Sequence, residues 1–582
     1  MNMKNERKWI MKKIARILSM VLAVVLLLGL TACGGGERQK GKVKISFWAE
    51  LSSATQDALQ QIVKDFNASH PNIVVTLVPQ ADSSSLSNVL RGSNAPDVIM
   101  VDDRTIKSYV AEGFLEKLDS YIAADTNPNF DLDDMWESSV ERFSYNAETG
   151  FSGTGSDYYA IPGGNNPTFI YYNVDLFNAQ NVNIISIPEN EISGNLLPHG
   201  YYVYDTAPVE GMTARADGKY HVFNNRIPMN WEELVALSKI FTKEYNSSST
   251  STYGFMNEWW FSHGWSVGGD CLEWDEASNQ YIFALGDTTP NYLVTGADGV
   301  TVNGTQYAAG QTLSYADKQY VQENLTDSTI AGYISTQNLY TLPSIRDAFT
   351  EFTMLSQATS GLVTEGVYGY GVSPSPNAMA NNSKSSYFTT GEVAMVCEEA
   401  KAAYNIGKSM DVLGKKWDIA PLYQYREYNE DGTLKTVNGT NVCGKQAAHS
   451  FVKGYAIPAN AKNKAAAWEF VSYIAGIDGE KQMMQCNMTV PNQKSLAYAE
   501  EYLSSTNNFA PANRIVAAEM SEIATVGDWA YVEDGEWIGD WSNVLNTQVR
   551  NGKMTLEQFF QHEDVEGTNE ILKKYKSKKY TG

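Results

Sequence analysis

The sequence lacks most of the features that mark enzymes, metalloproteins and nucleic-acid-binding proteins. Only five of its 582 residues are cysteines, and no Cys-x-x-Cys pair is present, which disfavours a zinc or redox site. It contains no Gly-x-Ser-x-Gly or His-Glu-x-x-His motif. Basic residues number 44 against 67 acidic ones, and the net charge of −23 argues against a nucleic-acid partner.

Long apolar runs are also scarce, because the only one lies in the first 33 residues. A basic leader precedes residues 17–30, a run too short for a comfortable membrane span but typical of an export signal. The run ends in Leu-Thr-Ala-Cys, which resembles a bacterial lipobox. We therefore predict a signal peptide over residues 1–32, lipidation of Cys33 and a flexible tether over 33–42. The alternative is a retained N-terminal helix with an incidental cysteine.

The rest of the chain has the size and composition of a large exported protein. It contains no second apolar run of about 20 residues, so we expect no membrane-spanning segment after the leader. It is long enough for two or more domains and needs no disulfides for stability. Buried thiols and up to two disulfides both fit its four distant cysteines, which are Cys271, Cys397, Cys443 and Cys486.

Strand and helix patterns alternate in the first part of the mature chain. In order, they predict a strand at 43–48, a helix at 55–67, a strand at 73–78, a helix around 85–91 and a strand at 97–101. This alternation predicts an α/β fold in which helices cover both faces of a parallel sheet.

Aromatic and acidic residues follow the first and third of these strands. Ligands of such sheets bind at the carboxyl ends of the strands. The predicted ligand contacts are therefore Trp48, Glu50, Asp102 and Asp103. Two alternatives stay open: Trp48 lies in the core beside a solvated Glu50, or the aspartates cap the next helix.

Two later stretches look like insertions. Residues 181–227 are rich in proline, glycine, asparagine and tyrosine, and residues 287–340 carry turn signals that predict hairpins. Between them, Asn230 followed three residues later by Glu233 predicts a capped helix over 231–243.

Seven short motifs then occur in an order that resembles one family. That family is the extracellular solute-binding proteins of ABC importers, in the branch that contains maltodextrin- and oligosaccharide-binding proteins. The motifs lie at 43–48 (VKISFW), 66–73 (FNASHPNI), 95–115 (APDVIM…YVAEGFL), 171–177 (YYNVDLF), 228–234 (PMNWEEL), 388–395 (FTTGEVAM) and 453–458 (KGYAIP).

The resemblance implies the type II fold of periplasmic binding proteins. Two α/β lobes, each a mixed or parallel sheet flanked by helices, are joined by a multi-strand hinge. Lobe 1 would comprise 43–164 and 422–486, and lobe 2 would comprise 165–421 and 487–582. The chain would cross between the lobes near 163–167, 419–422 and 487–492.

The resemblance also implies a function and a location. Ligand binding would draw the lobes together, and the closed form would dock on a membrane permease. The protein would be a monomer, would use no cofactor and would perform no chemistry. With a lipid on Cys33, it would stay on the outer face of the cytoplasmic membrane of a bacterium without an outer membrane.

A sugar ligand would require flat rings for its C–H faces and polar groups for its hydroxyls. Residues 257–265 resemble the family's stacking segment and supply Glu258, Trp259, Trp260 and Trp265. A second cluster contains Trp537 and Trp541 among acidic residues, which favours a wet surface. Core packing is the alternative for both clusters.

Polar contacts are implied at two further places. Asn165 and Asn166 follow the first crossing, where the alternative is an ordinary turn. Relatives often carry a Gly-Pro-Trp-like turn after the motif at 388–395, but this chain has Cys-Glu-Glu-Ala-Lys there. A sugar platform is therefore missing, and Glu398 or its neighbour Glu399 is predicted to contact a hydroxyl or cationic group instead.

Other functions remain as alternatives. Residues 125–131 space oxygen ligands like a calcium loop, but Gly at the sixth position and Glu at the twelfth are absent, so support for a structural calcium ion is weak. The same fold could take a peptide or polyamine, for which the acids would serve as partners. A surface glycosidase and an adhesin-like scaffold are the rivals from other classes.

Overall fold

The computed structural model describes residues 41–579, except 53–54, 81–82, 147, 153–154, 258–259, 380–382, 487–488, 505–510, 526–531 and 533–534. The predicted signal peptide, Cys33 and most of the predicted tether lie outside the described residues, as do Glu258 and Trp259.

The strands are distributed over the whole described chain. They are β1 Val43–Ala49, β2 Ile73–Pro79, β3 Val98–Asp102, β4 Ser144–Tyr145, β5 Asp157–Tyr158, β6 Ile161–Pro162, β7 Thr168–Asn173, β8 Val182–Ile185, β9 Tyr201–Tyr204, β10 Tyr220–Asn224, β11 Tyr253–Met256, β12 Leu272–Asp275, β13 Gln280–Phe283, β14 Asn291–Val294, β15 Val300–Val302, β16 Thr305–Tyr307, β17 Leu339–Leu342, β18 Leu362–Thr364, β19 Val367–Tyr368, β20 Val393–Glu399, β21 Trp417–Ala420, β22 Thr436–Val437, β23 Thr440–Asn441 and β24 Lys453–Ala456.

Helices separate these strands and dominate the C-terminal part, as predicted. They are α1 Gln56–Ser69, α2 Ser83–Leu90, α3 Ile106–Ala111, α4 Asp119–Ala123, α5 Glu137–Glu141, α6 Val174–Ala179, α7 Trp231–Phe241, α8 Phe261–Trp265, α9 Tyr315–Glu323, α10 Ser328–Ser335, α11 Ile345–Ser356, α12 Lys384–Thr390, α13 Ala402–Val412, α14 Lys464–Ile474, α15 Ile477–Met483, α16 Lys494–Ala497, α17 Glu500–Leu503, α18 Ile515–Glu522, α19 Gly539–Val544, α20 Leu556–Phe560, α21 Glu563–Glu566 and α22 Thr568–Leu572.

Lobe 1 is built on a five-stranded mixed sheet in the order β2-β1-β3-β24-β6. β1 runs parallel to β2 and β3, and β24 is antiparallel to both of its neighbours. Helix α1 covers one face because Leu59, Ile62 and Phe66 fall on one side of it and are buried. A second apolar cluster, which includes Ile99 and Val101, covers the other face. The predicted strand–helix alternation is confirmed.

Lobe 2 is built on a four-stranded sheet in the order β11-β20-β7-β21. Every residue of β7 is buried, as expected for a central strand that is covered on both faces. Helix α7 has the predicted capping box. The Asn230 side chain accepts from the Glu233 N–H, and the Glu233 carboxylate accepts from the Asn230 N–H.

The chain crosses between the lobes at three places. Asn165 pairs with Val490, and Pro167 pairs with Ser450, in short bridges between the two sheets. The Asn165–Val490 bridge joins residues within the crossings predicted near 163–167 and 487–492. The Pro167–Ser450 bridge places the remaining crossing near residue 450, not near 419–422.

Contacts of residues 422–449 explain this correction. The Gln424 N–H donates to the Met229 carbonyl at 2.9 Å, and Arg426 binds Glu189 at 2.6 Å. The hairpin β22–β23 packs Val437 against Leu293 and other residues of the second insertion. These residues therefore pack with lobe 2, although the predicted division at 422 assigned them to lobe 1.

Both predicted insertions pack on lobe 2. In the first, Phe223 of β10 packs on Tyr172 with ring centroids 5.0 Å apart. In the second, β15 and β16 form a predicted hairpin whose turn residues Asn303 and Gly304 both have positive φ. Lys318 of the second insertion is buried and binds Asp287 at 2.8 Å. The insertions brace the lobe.

A third apolar cluster, which we call the tryptophan core, joins the C-terminal helices to lobe 2. It contains Trp260, Trp265, Trp537 and Trp541 together with rings and aliphatic side chains from α11 and α20. Cys271 is also buried there, whereas Cys397 is buried in the main core of lobe 2. Among the described residues, no helix has the length and apolar character needed to cross a membrane.

Candidate functional site

Charged side chains from both lobes meet around one aromatic ring at the crossing segment. We call this group the cleft cluster. It comprises Glu50, Asp102, Arg104 and Lys453 of lobe 1, Lys384, Glu398, Glu399 and Lys401 of lobe 2, and Phe451 between them. The acids lie at the carboxyl ends of β1, β3 and β20, where the chain leaves each sheet.

Each acid of the cleft cluster has a basic partner within its own lobe. Arg104 binds Asp102 at 3.1 Å, and Lys453 binds Glu50. In lobe 2, Lys384 lies 3.8 Å from Glu398. Lys401 binds Glu399, which also accepts from the Asn166 amide at 2.6 Å. The cluster is therefore rich in hydrogen-bonding groups but balanced in charge.

The half-buried ring of Phe451 receives one base from each lobe. The Arg104 guanidinium lies 4.6 Å from the ring centroid, and the Lys401 ammonium lies 5.7 Å from it. Both distances are typical of cation–π contacts. His449 packs edge-on against the ring at 4.4 Å. Phe451 is thus the point at which the two lobes approach each other.

A fully buried ion pair supports the lobe 1 side of the cluster. Asp103 binds Arg142 at 2.6 Å and accepts from the Val452 N–H at 3.0 Å. Burial raises the pKa of Asp103 to about 6, although Arg142 acts in the opposite direction. Its side chain has no exposed surface, so the structure gives no support to the predicted ligand contact at Asp103. Asp103 instead holds the crossing segment beside Phe451.

His449 lies beside Phe451 and contributes an imidazole ring to its surroundings. Burial, followed by the charges of Arg142, Lys384, Arg104 and Lys401, lowers the pKa of His449 to about 3. The uncharged form is therefore favoured at neutral pH. The ring also packs almost parallel to Phe261 of α8, with an interplanar angle of 6°.

A cavity of about 440 Å³ opens beside the lobe 1 half of the cluster. Glu50, Asp102 and Arg104 line it, together with Tyr109. Trp48 does not line this cavity, because its half-buried ring packs against the apolar cluster around Ile99. Glu50 and Asp102 therefore line a cavity, and the ligand contacts expected at these two residues and at Trp48 stay predictions.

The two asparagines of the first crossing have structural partners. Asn165 is completely buried, accepts from the Ser450 hydroxyl at 2.7 Å and pairs its backbone with Val490. Asn166 is 4% exposed and joins Glu399 to the Lys401 N–H. These bonds hold the crossing together, so the structure gives no support to the predicted ligand contacts at the two amides.

The tryptophans predicted to stack on ligand lie in the tryptophan core. Trp260, Trp537 and Trp541 are at most 1% exposed, and Trp265 is 9% exposed with its indole N–H bonded to Asp270 at 3.0 Å. A ring buried by protein offers no face to a sugar, so the structure gives no support to ligand stacking at these four tryptophans. The role of Trp259 and Glu258 lies outside the described residues and stays a prediction.

Five members of the cleft cluster were not predicted from the sequence: Arg104, Lys384, Lys401, Phe451 and Lys453. The misplaced second crossing explains why Phe451 was overlooked. A crossing placed just before the motif at 453–458 would have identified it as the single aromatic residue of that segment. Glu398, which was predicted, lies in the cluster and is half-buried.

The loop that resembles a calcium site uses its oxygens within the protein. Asp125 accepts from the Asn127 N–H at 2.7 Å and from the Trp468 indole at 2.7 Å. Asn129 donates to Asp478 at 2.8 Å. These bonds dock the loop on α14 and α15. Among the described residues, no three His, Cys, Asp or Glu side chains are arranged to hold a metal ion.

Two α/β lobes joined by three crossings, with charged and aromatic groups where they meet, define a binding protein of the two-lobed periplasmic type. A family model described as bacterial extracellular solute-binding protein matches residues 52–481. The chain belongs to this family.

Solved structures of similar fold include several binding proteins. An ABC substrate-binding protein of Listeria monocytogenes in complex with cycloalternan is 18% identical, with a TM-score of 0.53 over 91% of this chain and 99% of that one. Maltose-bound T. maritima MalE3 is 15% identical, with a TM-score of 0.51 over 91% and 99%. UgpB of Mycobacterium tuberculosis in complex with glycerophosphocholine is 14% identical, with a TM-score of 0.52 over 92% and 99%. At these identities the likeness concerns the fold.

Proposed function

We propose that this protein captures an extracellular carbohydrate in the cleft between its lobes and delivers it to the permease of an ABC importer. It binds the ligand and releases it unchanged. Hinge bending at the three crossings closes the lobes on the ligand. The likeness to proteins solved with cycloalternan and maltose supports the ligand class.

The observation that carries this proposal is the composition of the cleft cluster. A sugar presents apolar C–H faces and a rim of hydroxyl groups. Phe451 supplies an aromatic face at the junction of the lobes, and the paired acids and bases around it supply donors and acceptors. Because these charges are balanced, a neutral polyhydroxylated ligand fits the site without leaving a net charge buried.

The charge balance of the cleft cluster also disfavours a polyamine or basic peptide as its ligand. A polyamine or basic peptide would require acids without basic partners, but Glu50, Asp102, Glu398 and Glu399 each have one. A cation would have to displace these bases. A neutral glycan needs no such displacement.

The lipid anchor is a separate part of the proposal. Lipidation of Cys33 would retain the protein at the outer face of the cytoplasmic membrane, close to its permease. Tethering raises the effective concentration of the binder at the permease without any new contact. Replacing Cys33 with Ala should release the protein into the medium, which fractionation and mass spectrometry would detect.

The ligand class is tested by calorimetric titration of the full-length chain in detergent. The probes are cycloalternan, maltose, glycerophosphocholine and spermidine. We expect saturable binding of at least one glycan, and expect Glu398→Gln to weaken it about tenfold while the matched control Glu392→Gln, at an exposed residue that directly precedes the same strand, does not. Glycan binding that is equally strong in both variants would contradict the cleft site.

The rival enzymatic function is tested in the same samples. A glycosidase would release shorter saccharides during incubation, and chromatography would detect them. The proposal predicts that each glycan is recovered intact after saturable binding. Turnover that stops when one cleft acid is replaced by its amide would overturn the binding-only function.

A further inference from the structure

A second cavity, of about 780 Å³, lies entirely on lobe 2 and outside the cleft cluster. We call it the tyrosine pocket. The first insertion forms one wall through β9, and the start of α7 and the segment 425–432 form the others. Its defining residues are Tyr202, Trp231, Glu232, Glu351, Tyr425 and Tyr428.

The walls of the tyrosine pocket are held in place by buried polar bonds. His199 lies 2.6 Å from the Glu233 carboxylate and 2.7 Å from the Gly432 carbonyl, and therefore joins two walls. Glu233 also caps α7 and accepts from the Tyr201 N–H at 3.2 Å. The pocket is thus formed by residues that are fixed before any ligand enters.

Half-exposed aromatic rings line the tyrosine pocket. Tyr428 stacks on His199 with centroids 3.7 Å apart, and Tyr202 packs on the same ring at 4.4 Å. Tyr425 meets Trp231 edge-on at 5.4 Å. Rings that are fixed by protein contacts on one side and open on the other present π faces to a ligand.

Some acids of the pocket have basic or imidazole partners. Glu427 binds Lys435 at 2.8 Å, and Glu233 binds His199. Arg426 is committed to Glu189 at 2.6 Å. Arg426 is the only Lys or Arg among the described residues that line the pocket, so no lining base is left unpaired.

Three further acids of the pocket lack a basic partner among the described residues: Glu232, Glu351 and Glu430. Within the described part of the chain, no Lys, Arg or His side chain lies within salt-bridge distance of them. Glu351 accepts only the Tyr370 hydroxyl, at 3.0 Å, and its pKa is raised by burial and by the nearby charge of Glu232. Lys239 lies 5.5 Å from the Tyr370 ring and does not line the pocket.

We propose that the tyrosine pocket is a second ligand site, independent of the cleft, that binds a small organic cation such as a polyamine. Open aromatic faces attract an ammonium group, and desolvation within a pocket strengthens this attraction. Glu232, Glu351 and Glu430 supply the opposite charge that the protein itself leaves unpaired. The alkyl part of the ligand would pack on the tyrosine rings.

The test is a titration of the full-length chain in detergent with spermidine. We expect saturable binding that weakens as salt is added, because the attraction is electrostatic. The double variant Glu232→Gln/Glu351→Gln should weaken binding at least about tenfold. The matched control Glu392→Gln, at an exposed acid outside both sites, should leave spermidine binding unchanged.

A second variant distinguishes weaker binding from loss of folding. Glu430 is exposed, so Glu430→Gln should fold normally and weaken spermidine binding by about twofold to fivefold. Absence of saturable spermidine binding would overturn the proposal. Equal binding by the wild type and the double variant, or displacement of spermidine by maltose, would also overturn it. Absent spermidine binding, or equal binding by the wild type and the double variant, leaves glycan binding in the cleft unaffected, whereas displacement by maltose would place both ligands at one site. The two proposals can therefore fail separately.

Discussion

Aromatic rings and acidic residues lie close together in both the cleft cluster and the tryptophan core, but they are arranged differently. In the cleft, Asp102 and Glu399 pair with the two bases that contact the half-buried ring of Phe451. In the core, Trp537 and Trp541 are buried while their neighbours Glu536 and Asp540 are exposed. Aromatic residues that adjoin acids in sequence can therefore face away from them.

Helix geometry explains the difference. Trp537 and Trp541 are four residues apart and fall on one face of a helical segment, whereas Glu536 and Asp540 fall on the adjacent face. Phe451 lies in an extended crossing between sheets, where both lobes approach it. The face that a ring occupies, and not the charge of its neighbours in sequence, decides whether it can meet a ligand.

The largest effect that separates the two regions is expected at Trp541. Trp541→Ala removes a fully buried ring and should lower the free energy of unfolding by about 3–5 kcal/mol. Denaturant unfolding measures this change, and Trp541→Phe should retain much of the lost stability. A stable Trp541→Ala protein that has lost glycan binding would show that the ring contacts ligand after all.

The next effect concerns Glu480, which is buried beside the third crossing and accepts from the Asn492 N–H at 2.6 Å. Burial raises its pKa from 4.5 to about 8. The folded chain therefore holds a proton that the unfolded chain releases, so this contribution to stability falls as pH rises from about 4.5 to 8.

Glu480→Gln should reduce this loss, because an amide needs no proton to remain neutral. Thermal unfolding across that pH range is the measurement, and the difference between wild type and variant isolates Glu480 from other titrating groups. A variant with the same pH dependence as the wild type would show that Glu480 is ionised in the fold.

A smaller effect, on affinity alone, is expected at Phe451. Phe451→Ala should weaken glycan binding about tenfold, equal to about 1.4 kcal/mol, because it removes the aromatic face of the cleft. Tyr368→Ala, at a ring that is 56% exposed outside both sites, is the matched control. If calorimetric titration shows equal losses of glycan affinity in both variants, Phe451 contributes no more to binding than an exposed ring elsewhere.

The smallest effect is expected for the surface pair of Lys453 and Glu50. Their side chains are 40% and 57% exposed, so Lys453→Met should change stability by less than about 1 kcal/mol. It should, however, leave Glu50 without a partner in the cleft and allow weak binding of spermidine there. A loss of several kcal/mol in denaturant unfolding would mean that the pair is structural.

Much of the fold follows from local patterns, whereas the site does not. The alternation in β1, α1 and β2 and the capping box of α7 are set by neighbouring residues, and both were predicted. The position of Asp103 at the end of a strand predicted a ligand contact. Its burial could not be predicted, because it depends on Arg142, which is 39 residues away in sequence. Contacts of this kind, like the docking of residues 422–449 on the second insertion, arise only when the chain folds.

The most direct test of the account is a co-crystal structure of the protein with the glycan that binds most tightly. We predict sugar rings against Phe451, with hydroxyl groups bonded to members of the cleft cluster from both lobes. A glycan found only in the tyrosine pocket, or on any surface that leaves Phe451 uncovered, would contradict the proposal that the cleft is the carbohydrate site.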